Sequence, residues 1–253
     1  MAEKVRTEGE RQFERYLDSV RYEYEFEKAY PERTKKPDYT ISASQVFLAE
    51  VKDFDEFLPN PGVQQVDVHF RIRKKIEDGR KKFKEYKDFP CCVVLQNNGN
   101  VHVPSEDPTI VLGSMYGTVG FAVPVFLGNG APPAILPKPS IQFMGDAQMT
   151  ATKNTTISAL LSLREVAVGK RRVRKIRREF PGLPLDNAEA LARQRFPDFD
   201  YDEFQLGVIV WENCHARLPL SRDLFVGPYD ERWGLEDGNI QRVFCGPGMA
   251  SLE

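Results

Sequence analysis

The sequence predicts an α/β protein whose first hundred residues run α-β-β-β-α-β. Three patterns carry that reading. Residues 6–20 and 64–88 place apolar side chains at helical spacings of three and four. Residues 21–27, 35–41 and 46–52 read as short strands, the last two joined by Ser42, Ala43, Ser44 and Gln45, which suit a turn. Residues 89–96 form a continuous apolar run bounded by turn residues, the mark of a strand buried on both faces.

In the first helix Phe13, Tyr16, Leu17 and Val20 make one stripe, and Thr7 with Glu10 three residues on forms a capping box. From Arg21 to Glu27, Tyr22, Tyr24 and Phe26 alternate with charged residues, the period of a half-buried strand. The long helix sets His69, Ile72, Ile76, Gly79, Phe83 and Tyr86 on one face, with His69 read as a core-edge residue. Glycine at position 79 costs about 1 kcal/mol against alanine inside a helix, so its place on the buried face implies close approach to the sheet. The other faces carry Arg71, Arg73, Lys74, Lys75, Arg80, Lys81, Lys82, Lys84 and Lys87 against Glu77, Asp78 and Glu85. Beyond Asn97-Asn98-Gly99-Asn100, a turn, prolines and glycines break residues 103–150 into short apolar pieces, read as a loop-rich insertion. Asn154 to Thr156 is read as capping a helix over 157–168, which leads into a run with eight Lys/Arg in residues 164–178. A short helix over 187–195, a last strand over 204–211 and a loop-rich tail follow. The expected division is a core over 1–102, an insertion or subdomain over 103–153, and a basic segment and terminal strand over 154–253 that complete the same domain.

Asp38 and Glu50 give the strand–turn–strand its chemistry. Each stands six residues from Ser44, so an antiparallel hairpin sets them opposite one another, with Cβ atoms about 4.5–5.5 Å apart. Two carboxylates at that separation can share one hard cation. Lys52, two residues beyond Glu50, points to the same face.

Pro37-Asp38 followed by Glu50-Val51-Lys52 resembles the PD-(D/E)xK nuclease superfamily, the restriction-endonuclease-like fold shared by restriction enzymes and Holliday-junction resolvases. Glu85-Tyr86-Lys87 and Pro197-Asp198 each match only half of that pattern. The resemblance implies a mixed central sheet flanked by helices and a metal-dependent nuclease acting on nucleic acid, DNA being the expected partner. It implies Mg²⁺ or Mn²⁺ held by Asp38, Glu50 and the Val51 carbonyl, with Lys52 orienting the attacking water and stabilising the pentavalent phosphate. The family also carries an acidic residue on the first helix, a role that passes to Glu14. The helical wheel sets Glu10 nearer the buried stripe, and the two stay alternatives. Phosphate contacts are expected from Arg71, Arg73, Lys74 and Lys81 on the long helix and from Arg171, Arg172 and Arg174 in the basic run.

The formal charge of −2 gives no global nucleic-acid signature, so positive charge must be concentrated locally. No apolar run approaches the ~20 residues of a membrane-spanning helix, and no membrane partner is expected. The charged N-terminus has no signal-peptide core, and Cys91, Cys92, Cys214 and Cys245 lack zinc spacing, so reduced thiols and a cytosolic location are expected. A homodimer is left open. Two other readings remain: a nuclease fold without catalysis that binds nucleic acid or protein, and a protein-interaction module built on residues 103–150.

Overall fold

The computed structural model describes residues 5–54, 67–98, 103–122 and 140–253. Helix α1 (Glu8–Ser19) precedes strands β1 (Glu23–Phe26), β2 (Tyr39–Ser42) and β3 (Val46–Phe54). Helix α2 (Val68–Phe83) and β4 (Cys91–Asn97) follow, then α3 (Pro108–Tyr116), β5 (Thr118–Ala122) and β6 (Ser140–Met144). The second half holds β7 (Ile157–Ala167), α4 (Val168–Glu179), α5 (Leu185–Arg195), β8 (Phe204–Glu212), β9 (Glu231–Glu236), β10 (Asn239–Cys245) and α6 (Pro247–Leu252).

The architecture is mixed α/β. Eight strands form one sheet in the order β1-β2-β3-β4-β7-β8-β9-β10, and β5 pairs with β6 apart from it. Strands β3, β4 and β7 run parallel at its centre, with antiparallel neighbours on both sides. Alternation along the central strands, broken by one irregularity between Ile157 and Ala159, feeds two cores. Leu48, Val93, Leu95 and Leu160 face α2 (Ile72, Ile76, Phe83) and α3 (Val111, Leu112, Met115). Ala49, Val51, Cys92, Val94 and Leu161 face α1 (Phe13, Tyr16, Leu17).

The first helix carries the expected capping box, Thr7 and Glu10 bonding each other's backbone N–H groups. Gly79 packs against the sheet, where an added Cβ would stand 2.4 Å from Val93 Cγ2. His69 sits at a core edge, its Nδ1 beside Ile110 O and Ser114 Oγ. The part of the long helix expected over 64–66 lies outside the described residues, as does Gly99-Asn100 of the turn.

Three expectations are corrected. Residues 157–167 form the central strand β7, and the helix begins at Val168. The run Ile157 to Leu163 is buried throughout, and an apolar run with no polar face does not distinguish a buried strand from a helix. In the segment read as loop-rich, α3 is capped by Asp107 and buried over Val111–Tyr116, so it lacks the one-sided period that marks a surface helix. The tail is likewise structured: β9 and β10 extend the main sheet, and α6 closes the chain.

Candidate metal centre

The hairpin register is Tyr39↔Ala49, Thr40↔Leu48, Ile41↔Phe47 and Ser42↔Val46. One step further places Asp38 opposite Glu50, the pairing inferred from the sequence. Both side chains are buried and turn to the α2 face, since their neighbours Tyr39, Ala49 and Val51 belong to the α1 core. Asp38 Oδ2 accepts the Val51 N–H at 2.9 Å. Lys52 Nζ donates to Glu50 Oε1 at 2.8 Å.

Lys82, in the last turns of α2, stands over both acids. Its Nζ lies 3.1 Å from Glu50 Oε2 and 3.7 Å from Asp38 Oδ1. The approach to Glu50 is an ion pair without hydrogen-bond alignment, so Glu50 Oε2 is buried with no hydrogen-bond partner. Burial, reinforced by the charge of Glu50, raises the Asp38 carboxyl from its ordinary range to about 7, and Lys82, the Val51 N–H and Lys52 only partly oppose this. Lys82 was legible in the sequence only as one of many basic residues. Nothing in the spacing says which turn of α2 lies over the hairpin.

Glu14 lies elsewhere. Its Oε1 accepts Arg6 Nε at 2.8 Å and the Tyr39 hydroxyl at 2.9 Å, on the α1 face of the sheet. Because successive residues of a strand point to opposite faces, Tyr39 carries Glu14 away from Asp38. Glu10, the alternative, spends its carboxylate on the Thr7 N–H of the capping box. Among the described residues no group of three or more His, Cys, Asp or Glu side chains gathers to hold a metal. The candidate centre is thus a carboxylate pair with two lysines.

That pair nonetheless fits a divalent cation. Mg²⁺ is commonly held by one or two carboxylates and keeps several waters. A buried oxygen without a hydrogen-bond partner and a neighbouring carboxyl that resists ionisation are what an acidic pair only partly neutralised by its lysines produces.

The predicted phosphate-contact residues divide. On α2, Lys74 and Lys81 are exposed, with Lys81 Nζ 3.4 Å from Asp78. Arg71 is half-buried. Arg73 is tied down, with Thr118 Oγ1 at 3.4 Å and Asp146 Oδ2 at 3.5 Å. In α4, Val173 and Ile176 pack on Ala188 and Ala192 of α5. Arg172 pairs with Glu203 at 2.8 Å and lies over the Phe196 ring, while Lys175 donates to Ser251 O. Arg174 is exposed and Arg171 half-buried. Much of this basic run therefore joins α4 to its neighbours. Among the described residues no helix is long and apolar enough to cross a membrane.

No family model, curated protein or solved structure matches the chain.

Proposed function

We propose that the protein is a metal-dependent nuclease with a restriction-endonuclease-like core, hydrolysing phosphodiester bonds of nucleic acid, with DNA the expected substrate. The observation that carries this reading is the opposed pair Asp38 and Glu50, buried together with Lys52 bonded to Glu50 and with one Glu50 oxygen facing Lys82 without a hydrogen bond. Buried polar groups are normally hydrogen-bonded, so this oxygen is free to take a further partner.

Asp38, Glu50 and the Val51 carbonyl would hold Mg²⁺ or Mn²⁺. When bound, the ion supplies charge neutralisation at the phosphate and an acidified water. Lys52 orients that water against the phosphorus. Lys82, lifted from Glu50, meets a non-bridging phosphate oxygen. Both ammonium groups then lie where negative charge grows in the pentavalent state. The exposed Lys74 and Lys81 attract the backbone without reading sequence. Glu14, on the opposite face, has no part in this shell.

The test pairs Mg²⁺ or Mn²⁺ calorimetry with cleavage of plasmid and single-stranded DNA, on wild type and Asp38→Ala. Expected are metal binding and cleavage in wild type and loss of both in the variant. Cleavage that survives Asp38→Ala would overturn the reading. A second reading rests on Lys52 and Lys82, which already partly neutralise the two acids: a nuclease fold without catalysis. It predicts salt-dependent nucleic-acid binding and no cleavage with any divalent ion.

A further inference from the structure

Parallel strands β3, β4 and β7 end together at one edge of the sheet. In open α/β sheets, ligands bind outside the carboxyl ends of such strands. A pocket of about 440 Å³ opens there, lined by Gln12 of α1, Gln96 to Asn98 at the end of β4, Glu106, and Leu163 to Glu165 of β7. Its volume lies within the ~300–1,000 Å³ of ligand sites. Close packing of α1 onto the strand ends builds one wall. An added Cβ on Gly9 would stand 2.4 Å from Asp53 Oδ1 and 2.9 Å from Gln96 Cβ, and Asp53 Oδ1 accepts the Gly9 N–H at 2.9 Å.

Two side-chain amides in this wall are unsatisfied. Gln12 Oε1 and Gln96 Oε1 are buried with no hydrogen-bond partner, as is Arg164 Nε. Gln96 is 5% exposed and Arg164 6%. Buried polar atoms are normally satisfied, and ones that line a pocket are open to a ligand. Charge narrows the ligand. Arg164 already pairs with Glu231 at 2.9 Å, and Arg171 lies within electrostatic reach of Glu106. With Glu165 also present, no cation is left over among the described lining residues for a phosphate. The pocket asks for an uncharged, planar group whose edge both donates and accepts hydrogen bonds.

We propose that this pocket holds a nucleobase, read along its edge by Gln12 and Gln96 over the apolar side of Leu163. Carboxamides pair with base edges in this two-point manner. Binding stands on the pocket alone; its role rests on the nuclease reading. Gln96 is in register with Asp53, which directly follows Lys52. The pocket therefore adjoins the end of β3 three residues beyond Glu50, on the opposite face of the sheet from the carboxylate pair. A nucleic-acid strand crossing that edge leaves a phosphate at the pair and an unstacked base in the pocket.

The test titrates the full-length chain with adenosine, guanosine, cytidine and thymidine, using ligand-observed NMR, with inorganic phosphate and Mg²⁺ as competitors. At least one nucleoside binds, and neither competitor displaces it. Gln96→Leu and Gln12→Leu each weaken binding tenfold or more without lowering the thermal midpoint, because each removes an unsatisfied amide. Leu163→Phe, which fills the pocket and leaves the amides alone, weakens it equally. Asp38→Asn binds nucleoside as wild type does. No binding at millimolar nucleoside, displacement by phosphate or Mg²⁺, wild-type binding in Gln96→Leu or Leu163→Phe, or a lowered midpoint in both Leu variants overturns the proposal. Failure here with Asp38-dependent cleavage intact removes only the pocket; cleavage by Asp38→Asn with nucleoside binding intact removes only the metal site at Asp38 and Glu50.

Discussion

Two buried aspartates divide the molecule's acidic groups by purpose. Asp230, ahead of β9, accepts the Tyr16 hydroxyl at 2.6 Å and the Gly227 N–H at 2.7 Å on Oδ2, and the Val208 N–H at 2.8 Å on Oδ1. Asp38, ahead of β2, accepts one N–H, from Val51, and otherwise faces Glu50 and Lys82. Asp230 ties α1, β8 and the turn before β9 to each other. Asp38 ties its own hairpin once and leaves its second oxygen toward Lys82. Full satisfaction suits an acid that holds a fold; partial satisfaction beside a second carboxylate is what the proposed metal site would use.

The largest expected effect tests what Asp38 is kept for. Asp38→Asn preserves shape and can still accept the Val51 N–H, so stability at pH 8 stays level or rises. Cleavage in Mg²⁺ falls by about a thousandfold or more, roughly 4 kcal/mol in barrier. Equal losses of stability and cleavage would place Asp38 with Asp230 and erase the distinction. The next effect comes from the other acid. Asp230→Ala strands a buried hydroxyl, the buried Val208 N–H and the half-buried Gly227 N–H and costs about 3 kcal/mol or more, read from the urea midpoint. A loss below about 1 kcal/mol would show that the network around Asp230 relaxes freely.

How much of this contrast the sequence carried depends on the range over which each feature is decided. The hairpin is local: three turn residues fix the register, and the register alone opposes Asp38 and Glu50. The α1 capping box and the buried face of α2 are equally local. Lys82 is not, since its place over the acids depends on how α2 crosses the sheet. Glu14 was assigned from the resemblance alone, against the helical wheel, and neither source says which face of the sheet receives α1; packing sets Glu14 beside Tyr39. Strand β7 was hidden because burial on both faces removes the period that tells strand from helix. Asp230 was illegible for the same physical reason as Lys82: its partners Tyr16 and Val208 lie 214 and 22 residues away in sequence.

A smaller effect is the dependence of stability on pH. Asp38 titrates at about 7 in the fold and near 4 unfolded. The native state thus binds the proton more tightly, and stability falls as pH rises from about 4 to about 7, by on the order of 1–3 kcal/mol. In EDTA the thermal midpoint is therefore higher at pH 5 than at pH 8. Asp38→Asn flattens that slope without abolishing it, because burial also pushes the Asp230 carboxyl up. Mg²⁺, binding the ionised pair, restores the midpoint at pH 8. A slope unchanged in Asp38→Asn would mean that Asp38 ionises normally and that its environment resembles water.

The smallest effect isolates Lys82. Of the groups that ease the Asp38 carboxyl back toward ionisation, Lys82 acts most strongly, ahead of the Val51 N–H and Lys52. It stands in for the hydrogen bonds that Asp230 has and Asp38 lacks. Lys82→Met keeps the aliphatic stem packed along α2 and removes the charge. The Asp38 midpoint then moves further up, so the pH range over which stability is lost in EDTA extends upward and the total loss grows. The Asp230 share of the slope stays where it was, because Lys82 is not among the groups that shift it. Carbon-13 NMR of labelled aspartate follows the two carboxyls separately through the titration. An Asp38 midpoint that stays put in Lys82→Met would mean that solvent, rather than this ammonium, already screens the pair. The difference between the two acids would then lie in their hydrogen bonds alone.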